Sequence, residues 1–270
     1  MTKIKVTAVS YLNTKPLLYG ILKSPIAQEI DLQLDIPSVC ADKLQRGQAD
    51  LGLVPVAVLP KLSSPYIVSD FCIGAEGAVR TVCIYGERPI EEMEAVYLDF
   101  HSRTSVALTK ILLREHWRLT PRLIPAQRGY EQKIGGAAGG LIIGDRTIGM
   151  AHRFPFVYDL GQEWERFTGL PFVFAAWVSN RSLDPAFLAS FNAAMAQGIA
   201  EIPQLMYLLP VPEDDFDLQT YFTQYISYDL NDEKRKALLL FLNMLKVPIP
   251  ESLRASLLTS SSGPDNYTLP

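Results

Sequence analysis

Ser10-Tyr11-Leu12-Asn13-Thr14-Lys15-Pro16-Leu17 is a polar turn between two apolar patterns of different period. Before it, Ile4, Val6 and Val9 form a β-branched run that reads as a strand. After it, Leu17, Leu18, Ile21 and Leu22 recur at helical spacing. Strand, polar turn and helix is the unit by which α/β proteins turn free backbone N–H groups, at the positive end of a helix, toward a crevice. Asn13 or Thr14 is expected to cap this helix, with Pro16 in its first turn, where a missing N–H costs nothing. Taken alone, the turn is equally a well-capped connection, so its meaning depends on what the chain sets opposite it.

The following residues extend the pattern. Ile30, Leu32, Leu34 and Ile36 alternate with Asp31, Gln33 and Asp35, which predicts a half-buried strand. Pro37-Ser38 opens a helix, with Ser38 as its expected cap and Gly47 at its end, and Asp50 to Val56 is the next buried strand. Strand and helix alternating in this order predict a mostly parallel sheet covered by helices. From Ile67 to Tyr85 two strand-like runs flank a glycine-containing turn, and Gly86-Glu87-Arg88-Pro89 breaks the pattern, which places a crossover to a second lobe there. Arg80 and Thr81 fall among apolar neighbours. Arg80 reads either as a ligand contact or as the solvent face of an edge strand.

A second strand, polar turn and helix follows. Ala95 to Leu98 runs into Asp99-Phe100-His101-Ser102-Arg103-Thr104-Ser105, then into a helix carrying Val106, Leu108, Ile111 and Leu112. Ser102, Thr104 and Ser105 offer more hydroxyls than one cap needs, and Arg103 adds a fork suited to a carboxylate, so an anion is expected here. His101 is read first as a turn residue, with a pKa that would also suit chemistry. Pro121 to Pro125 reads as a strand. Gly135 to Gly140 lacks the Lys-Ser/Thr of a phosphate loop, while Leu141-Ile142-Ile143 delivers Gly144 and Asp145 at a strand end. Asp145 is either a ligand contact or the cap of a short helix. A helix with Trp164 and Phe167 ends at Gly169, and the strand Val173 to Val178 returns the chain to the first lobe. Asp184-Pro185 starts an amphipathic helix, Glu233 to Lys246 forms another, and the polar tail from Thr259 to Asn266 is expected to fray.

The expected architecture is α/β with two lobes: residues 1–86 plus 179–270 in the first, and 87–178 inserted as the second. The turns at Ser10–Thr14 and Ser102–Ser105 would face each other across the cleft, where small-molecule sites concentrate.

Composition removes several function classes. Of 270 residues, 48% are hydrophobic and 20% charged, which is neither a disordered nor a membrane composition. A net charge of −4 with no Lys/Arg run gives no footprint for nucleic acid. No apolar run is long enough to span a bilayer and no signal-peptide core is evident, so a cytoplasmic protein without a membrane partner is expected. Cys40, Cys72 and Cys83 are too widely spaced for a zinc knuckle or a disulfide framework, and His101, His116 and His152 lack metal-type spacing. No metal or other cofactor is expected.

With these residues in view, the chain resembles the chorismate dehydratase family of the futalosine route to menaquinone. The resemblance rests on Ser10 to Leu17, Val54-Pro55-Val56 and Gly77-Ala78-Val79-Arg80-Thr81-Val82. It continues through Ser102-Arg103-Thr104-Ser105-Val106-Ala107-Leu108, Ile143-Gly144-Asp145 and the segment from Trp164 to Trp177. A sister enzyme of the pathway carries a Ser-Pro-Cys-Pro-Asn type of first turn, which this chain lacks. Thr81 stands where the family more often has Ser, keeping the hydroxyl and adding a methyl, and Phe100-His101 fills two variable positions.

The resemblance implies a periplasmic-binding-protein type II fold that is not exported. It also implies conversion of chorismate to 3-[(1-carboxyvinyl)oxy]benzoate with loss of water and without a cofactor. On this reading Asn13, Thr81 and Asp145 are the catalytic candidates. Ser10, Tyr11, Thr14 and Arg80 from the first lobe, with Ser102, Arg103, Thr104, Ser105 and Gly144 from the second, would bind the substrate. Arg80, Arg103 and the two helix starts would make the cleft locally positive for a dicarboxylate. A non-catalytic binder or sensor of small carboxylates, or an enzyme acting on a related intermediate, is the alternative.

Overall fold

A computed structural model describes residues 3–210 and 216–258. The expected frayed tail from Thr259 to Asn266 lies outside the described residues. The strands are β1 (Ile4–Val9), β2 (Ile30–Asp35), β3 (Leu51–Pro55), β4 (Tyr66–Ala75), β5 (Val82–Gly86), β6 (Ala95–Leu98), β7 (Arg122–Pro125), β8 (Ala138–Ile143), β9 (Phe156–Asp159), β10 (Phe172–Ser179) and β11 (Ser227–Asp229). The α-helices are α1 (Lys15–Lys23), α2 (Pro37–Gln45), α3 (Thr104–Ile111), α4 (Leu160–Thr168), α5 (Pro185–Ala200), α6 (Ile202–Met206), α7 (Leu218–Thr220), α8 (Asp232–Met244) and α9 (Glu251–Leu258).

Among the described residues the strands form two mixed sheets, each the base of a lobe. The first has the order β11-β4-β10-β3-β1-β2, the second β7-β6-β8-β5-β9. The opening β1, β2 and β3 are mutually parallel, as the strand–helix alternation predicts, and β10 then pairs antiparallel with both β3 and β4.

Strand pairing moves the lobe boundaries. Val82–Gly86, expected in the first lobe, pairs with β8 and β9 of the second sheet. Phe172–Ser179, expected in the second lobe as far as Val178, is an interior strand of the first sheet. Both strands are buried along their whole length, so neither shows the one-sided alternation from which a sheet could be assigned. The chain therefore crosses between sheets at residues 76–81 and returns at 169–171. Because Phe172 lies opposite Ala75 in the ladder, the two crossings start side by side.

Local endings also differ from expectation. Thr14, one of the two residues expected there, occupies the cap position of α1, but its side chain makes no cap hydrogen bond. Leu12–Thr14 forms a 3₁₀ turn that runs straight into it, and the Thr14 hydroxyl donates instead to Asn13 Oδ1 at 3.2 Å. In α2 the cap position falls on Ile36, with Pro37 as the first helical residue, so Ser38 lies inside the helix. Asp159 and Asp184 cap α4 and α5, each accepting two backbone N–H bonds from the first turn of its own helix. The three cysteines are buried free thiols. Among the described residues no helix is long and apolar enough to cross a membrane, and no cluster of His, Cys, Asp and Glu is arranged to hold a metal.

Candidate active site

The two polar turns meet between the lobes. Val9 from the end of β1, Pro55 from β3, Ile73 from β4 and Phe174 and Ala175 from β10 form an apolar base. Tyr11, Asn13 and Thr14 stand on one side, and Ser102, Ser105, Ile143 and Gly144 on the other. Thr81, on the first crossing between the sheets, closes the end. The lobes are shut on this space, whose volume is ≈ 50 Å³. Small-molecule pockets run from about 300 Å³ upward, so a ring-sized ligand enters only when the lobes part.

Seven of the residues expected to bind or react therefore come together: Tyr11, Asn13, Thr14, Thr81, Ser102, Ser105 and Gly144. Each is held by identifiable bonds. Ser102 Oγ accepts from the Ser105 N–H at 3.0 Å and also lies 3.0 Å from Ser105 Oγ, which organises the start of α3. Thr81 Oγ1 is 3.0 Å from the hydroxyl of Tyr221, a buried side chain contributed from far along the chain. The Asn13 carbonyl accepts from the buried Tyr228 hydroxyl at 3.0 Å, fixing the backbone under its side chain. Gly144 has φ +67°, and a Cβ there would fall 2.8 Å from the Tyr11 ring, so glycine lets that ring approach the turn closely. The Gly144 N–H donates to the Thr81 carbonyl at 2.8 Å, tying the two halves of the second lobe together.

Five expected site residues lie elsewhere, each for a physical reason. Arg103 turns away to pair with Asp42 at 2.5 Å. Thr104 is buried, and its hydroxyl accepts the Ala57 N–H at 3.2 Å, a bond between lobes. Ser10 is exposed, with its N–H given to the Asp35 carbonyl. Arg80 is exposed on the far side of Thr81, where its guanidinium meets Tyr225. Asp145 bridges the lobes: its carboxylate accepts the Leu12 N–H at 3.0 and 3.2 Å, while burial of the carboxyl raises its pKa against the opposing pulls of that N–H and of Lys15. None of the residues lining the cleft is charged, which corrects the expectation of a cationic pocket. The polar groups of the lining are hydroxyls, the Asn13 amide and the backbone where α3 starts.

Behind the lining stands a network that the sequence reading did not single out. Asp99 is buried and pairs with Arg146, and it accepts from Tyr130 Oη, the His101 N–H and the Ile143 N–H at 2.9–3.0 Å. His101 Nδ1 in turn lies 2.6 Å from the Tyr11 hydroxyl, joining this network to the first lobe. Burial raises the Tyr11 pKa well above that of a free phenol, so the side chain stays neutral. Tyr221 and Tyr228 have no local motif around them, and Asp99 opens a turn that the sequence marks only for its hydroxyls and Arg103. They act through partners far away in sequence, and only the folded chain reveals them.

A profile of the menaquinone biosynthesis family matches residues 4–247. A chorismate dehydratase from Thermus thermophilus is 29% identical over 196 residues, covering 63% of this chain and 69% of that protein. Among solved structures, an ABC transporter protein from Parabacteroides distasonis superposes with a TM-score of 0.62 at 17% identity, over 99% of this chain and all of the other. A Candida albicans protein with the generic periplasmic binding protein fold gives 0.58 at 10% identity, over 97% and 92% of the two chains. The periplasmic aliphatic sulphonate binding protein of Escherichia coli gives 0.54 at 15%, over 95% and 97%. At these identities the structural likenesses establish a periplasmic-binding-protein fold, and the match along almost the whole sequence adds the rest: the chain belongs to the menaquinone biosynthesis family.

Proposed function

We propose that this protein is a hydro-lyase that removes water from chorismate to give 3-[(1-carboxyvinyl)oxy]benzoate. The observation that carries this reading is the meeting of Asn13, Thr81, Ser102 and Ser105 around one uncharged interlobe cleft, in a chain whose family and whose Thermus relative both point to this chemistry.

In this reaction the proton on the ether-bearing ring carbon leaves, and the hydroxyl departs from the neighbouring carbon with its bonding electron pair. The two combine as water, and the ring becomes aromatic. No electron is gained or lost overall, and the stability of the new ring supplies the driving force, so the step asks for neither a redox group nor a Lewis acid. The proton lost is conjugated to the ring carboxylate, so charge builds on that carboxylate in the transition state. Donors fixed in advance around it stabilise that charge more than they stabilise the substrate. The Ser102 and Ser105 hydroxyls, held against each other at the positive end of α3, are such donors.

The cleft lining holds no carboxylate or imidazole to act as base. Asp145 is engaged with Leu12, and His101 with Tyr11. The base assigned here is the substrate's own enolpyruvyl carboxylate, which takes the proton and passes it to the departing hydroxyl. The protein then acts by orientation, which supplies roughly 7–11 kcal/mol in favourable cases. Asn13 and Thr81 hold the side-chain carboxylate and the leaving hydroxyl in line. Tyr11 and Gly144 close over the ring.

The test is to incubate purified protein with chorismate, without added metal or cofactor, and to follow products by chromatography and mass. A product lighter than chorismate by one water is expected. Chorismate bound but unchanged would replace the dehydratase with a carboxylate-sensing protein of the same fold.

A further inference from the structure

A second chamber, of ≈ 440 Å³, lies on the other side of the wall that Thr81 and Tyr221 make. It is within the size range of small-molecule sites. Tyr221 belongs to both spaces in effect: its ring lines the second chamber, and its hydroxyl meets Thr81, which lines the first.

Arg80 dominates this chamber. Its backbone has φ +66°, a conformation that non-glycine residues adopt at a cost and that concentrates at functional positions. Asp159 holds it there. One carboxylate accepts the N–H groups of Val79 at 3.0 and 3.1 Å and of Arg80 at 2.6 Å, and those of Gly161 and Gln162 as well. With its oxygens committed to four backbone donors, Asp159 does not serve the Arg80 guanidinium. Asp217, the other acid in the lining, is likewise occupied, accepting from the Gln219 N–H and the Thr220 hydroxyl. The guanidinium itself rests 4.9 Å over the Tyr225 ring and donates to the Tyr225 hydroxyl at 3.2 Å. Among the described residues it forms no ion pair. A planar fork with donors to spare, beside the rings of Tyr221, Tyr225 and Tyr85, matches a carboxylate carried on a flat ring.

We propose that this chamber is a second binding site, for an aromatic carboxylate, in which Arg80 takes the carboxylate and the tyrosines take the ring. Through Tyr221, an occupant is one hydrogen bond from Thr81. The proposal stands on this chamber's own residues and does not require that the cleft dehydrate chorismate.

Isophthalate, a flat ring with two carboxylates, is the probe. It is titrated into isotope-labelled full-length protein while the Arg80 side-chain N–H signal is followed by NMR and the heat of binding is recorded. A saturable shift of that signal is expected, with a matching binding event that Asn13→Ala spares and Arg80→Gly abolishes. Glycine accepts φ +66° without strain, so Arg80→Gly should keep the wild-type thermal midpoint or raise it, separating loss of the guanidinium from loss of the fold. Tyr225→Leu should weaken the same event several-fold. An Arg80 signal that does not saturate, or moves no more than with equal ionic strength of chloride, would overturn the proposal. So would an Arg80→Gly protein that binds isophthalate as the wild type does.

Discussion

Thr81 carries two duties at one atom. Its hydroxyl lines the cleft and also satisfies the buried Tyr221 hydroxyl at 3.0 Å. Thr81→Val keeps the shape and removes the hydroxyl, so turnover of chorismate should fall by about 100-fold, the usual effect of deleting one preorganised donor. Stability should also drop by about 1–3 kcal/mol, because Tyr221 is left buried without its partner. Thr81→Ser should restore both, and a fully active Thr81→Val enzyme would take this residue out of the chemistry. His101 makes a separate prediction at the same scale. It faces Tyr11, Phe100 and Arg146, and burial followed by the Arg146 charge lowers its pKa against the opposing pulls of Asp99 and Glu131. In the unfolded chain the imidazole takes a proton below about pH 6.5, while in the folded protein it resists doing so. Its contribution to stability is therefore present above that pH and is lost as the pH falls toward the folded value. Between about pH 7 and about pH 5, wild type should lose more unfolding free energy than His101→Asn, as read from urea midpoints. Equal losses would show that His101 is not depressed.

At the scale of elements, α1 sets the cleft because it carries Asn13 and Thr14 at its start, and α1 is positioned by its crossing with α5. Gly20 and Gly198 make that crossing close. A Cβ on Gly20 would lie 1.9 Å from the Ala194 carbonyl oxygen, and one on Gly198 would lie 2.1 Å from the Pro16 carbonyl oxygen. Both obstacles are backbone, which cannot swing aside as a side chain does. Gly20→Ala should therefore cost about 1–3 kcal/mol in urea unfolding, and by pushing the start of α1 it should raise KM as well. Loss of stability with an unchanged KM would mean that the crossing does not set the site. The sequence made α1 and α3 readable, because a polar turn between a strand run and a helical run states both the element and its crevice-facing end. It could not assign β5 and β10 to their sheets, since strands buried on both faces show no alternation. Nor could it foresee that Arg103 and Thr104, which look like anion ligands beside Ser102 and Ser105, are taken by Asp42 and Ala57 of the other lobe. A residue's type and its neighbours were legible; which distant group reaches it first was not.

Over the whole molecule, the cleft is closed by contacts that have nothing to do with a ligand. Leu12 binds Asp145, Tyr11 meets His101, the Ala57 N–H reaches Thr104 and Arg103 pairs with Asp42, all between the two sheets' lobes. The chain passes between the two sheets at the adjacent crossings 76–81 and 169–171. With ≈ 50 Å³ between the lobes, a ring dicarboxylate binds only to the opened form, and these contacts then help to shut the lobes over it. Arg103 and Asp42 are both more than a third exposed, so their pair adds little. The Asp145 carboxylate, accepting a backbone N–H, is the better place to intervene. Asp145→Ala should cost closure about 1 kcal/mol, which corresponds to roughly a five-fold rise in KM for chorismate with little change in kcat. Small-angle scattering should then show a larger radius of gyration for the unliganded variant than for the unliganded wild type, and equal radii when both are saturated with substrate. A collapse of kcat with an unchanged radius would instead make Asp145 a participant in the chemistry, returning to it the role that its position at the end of β8 first suggested.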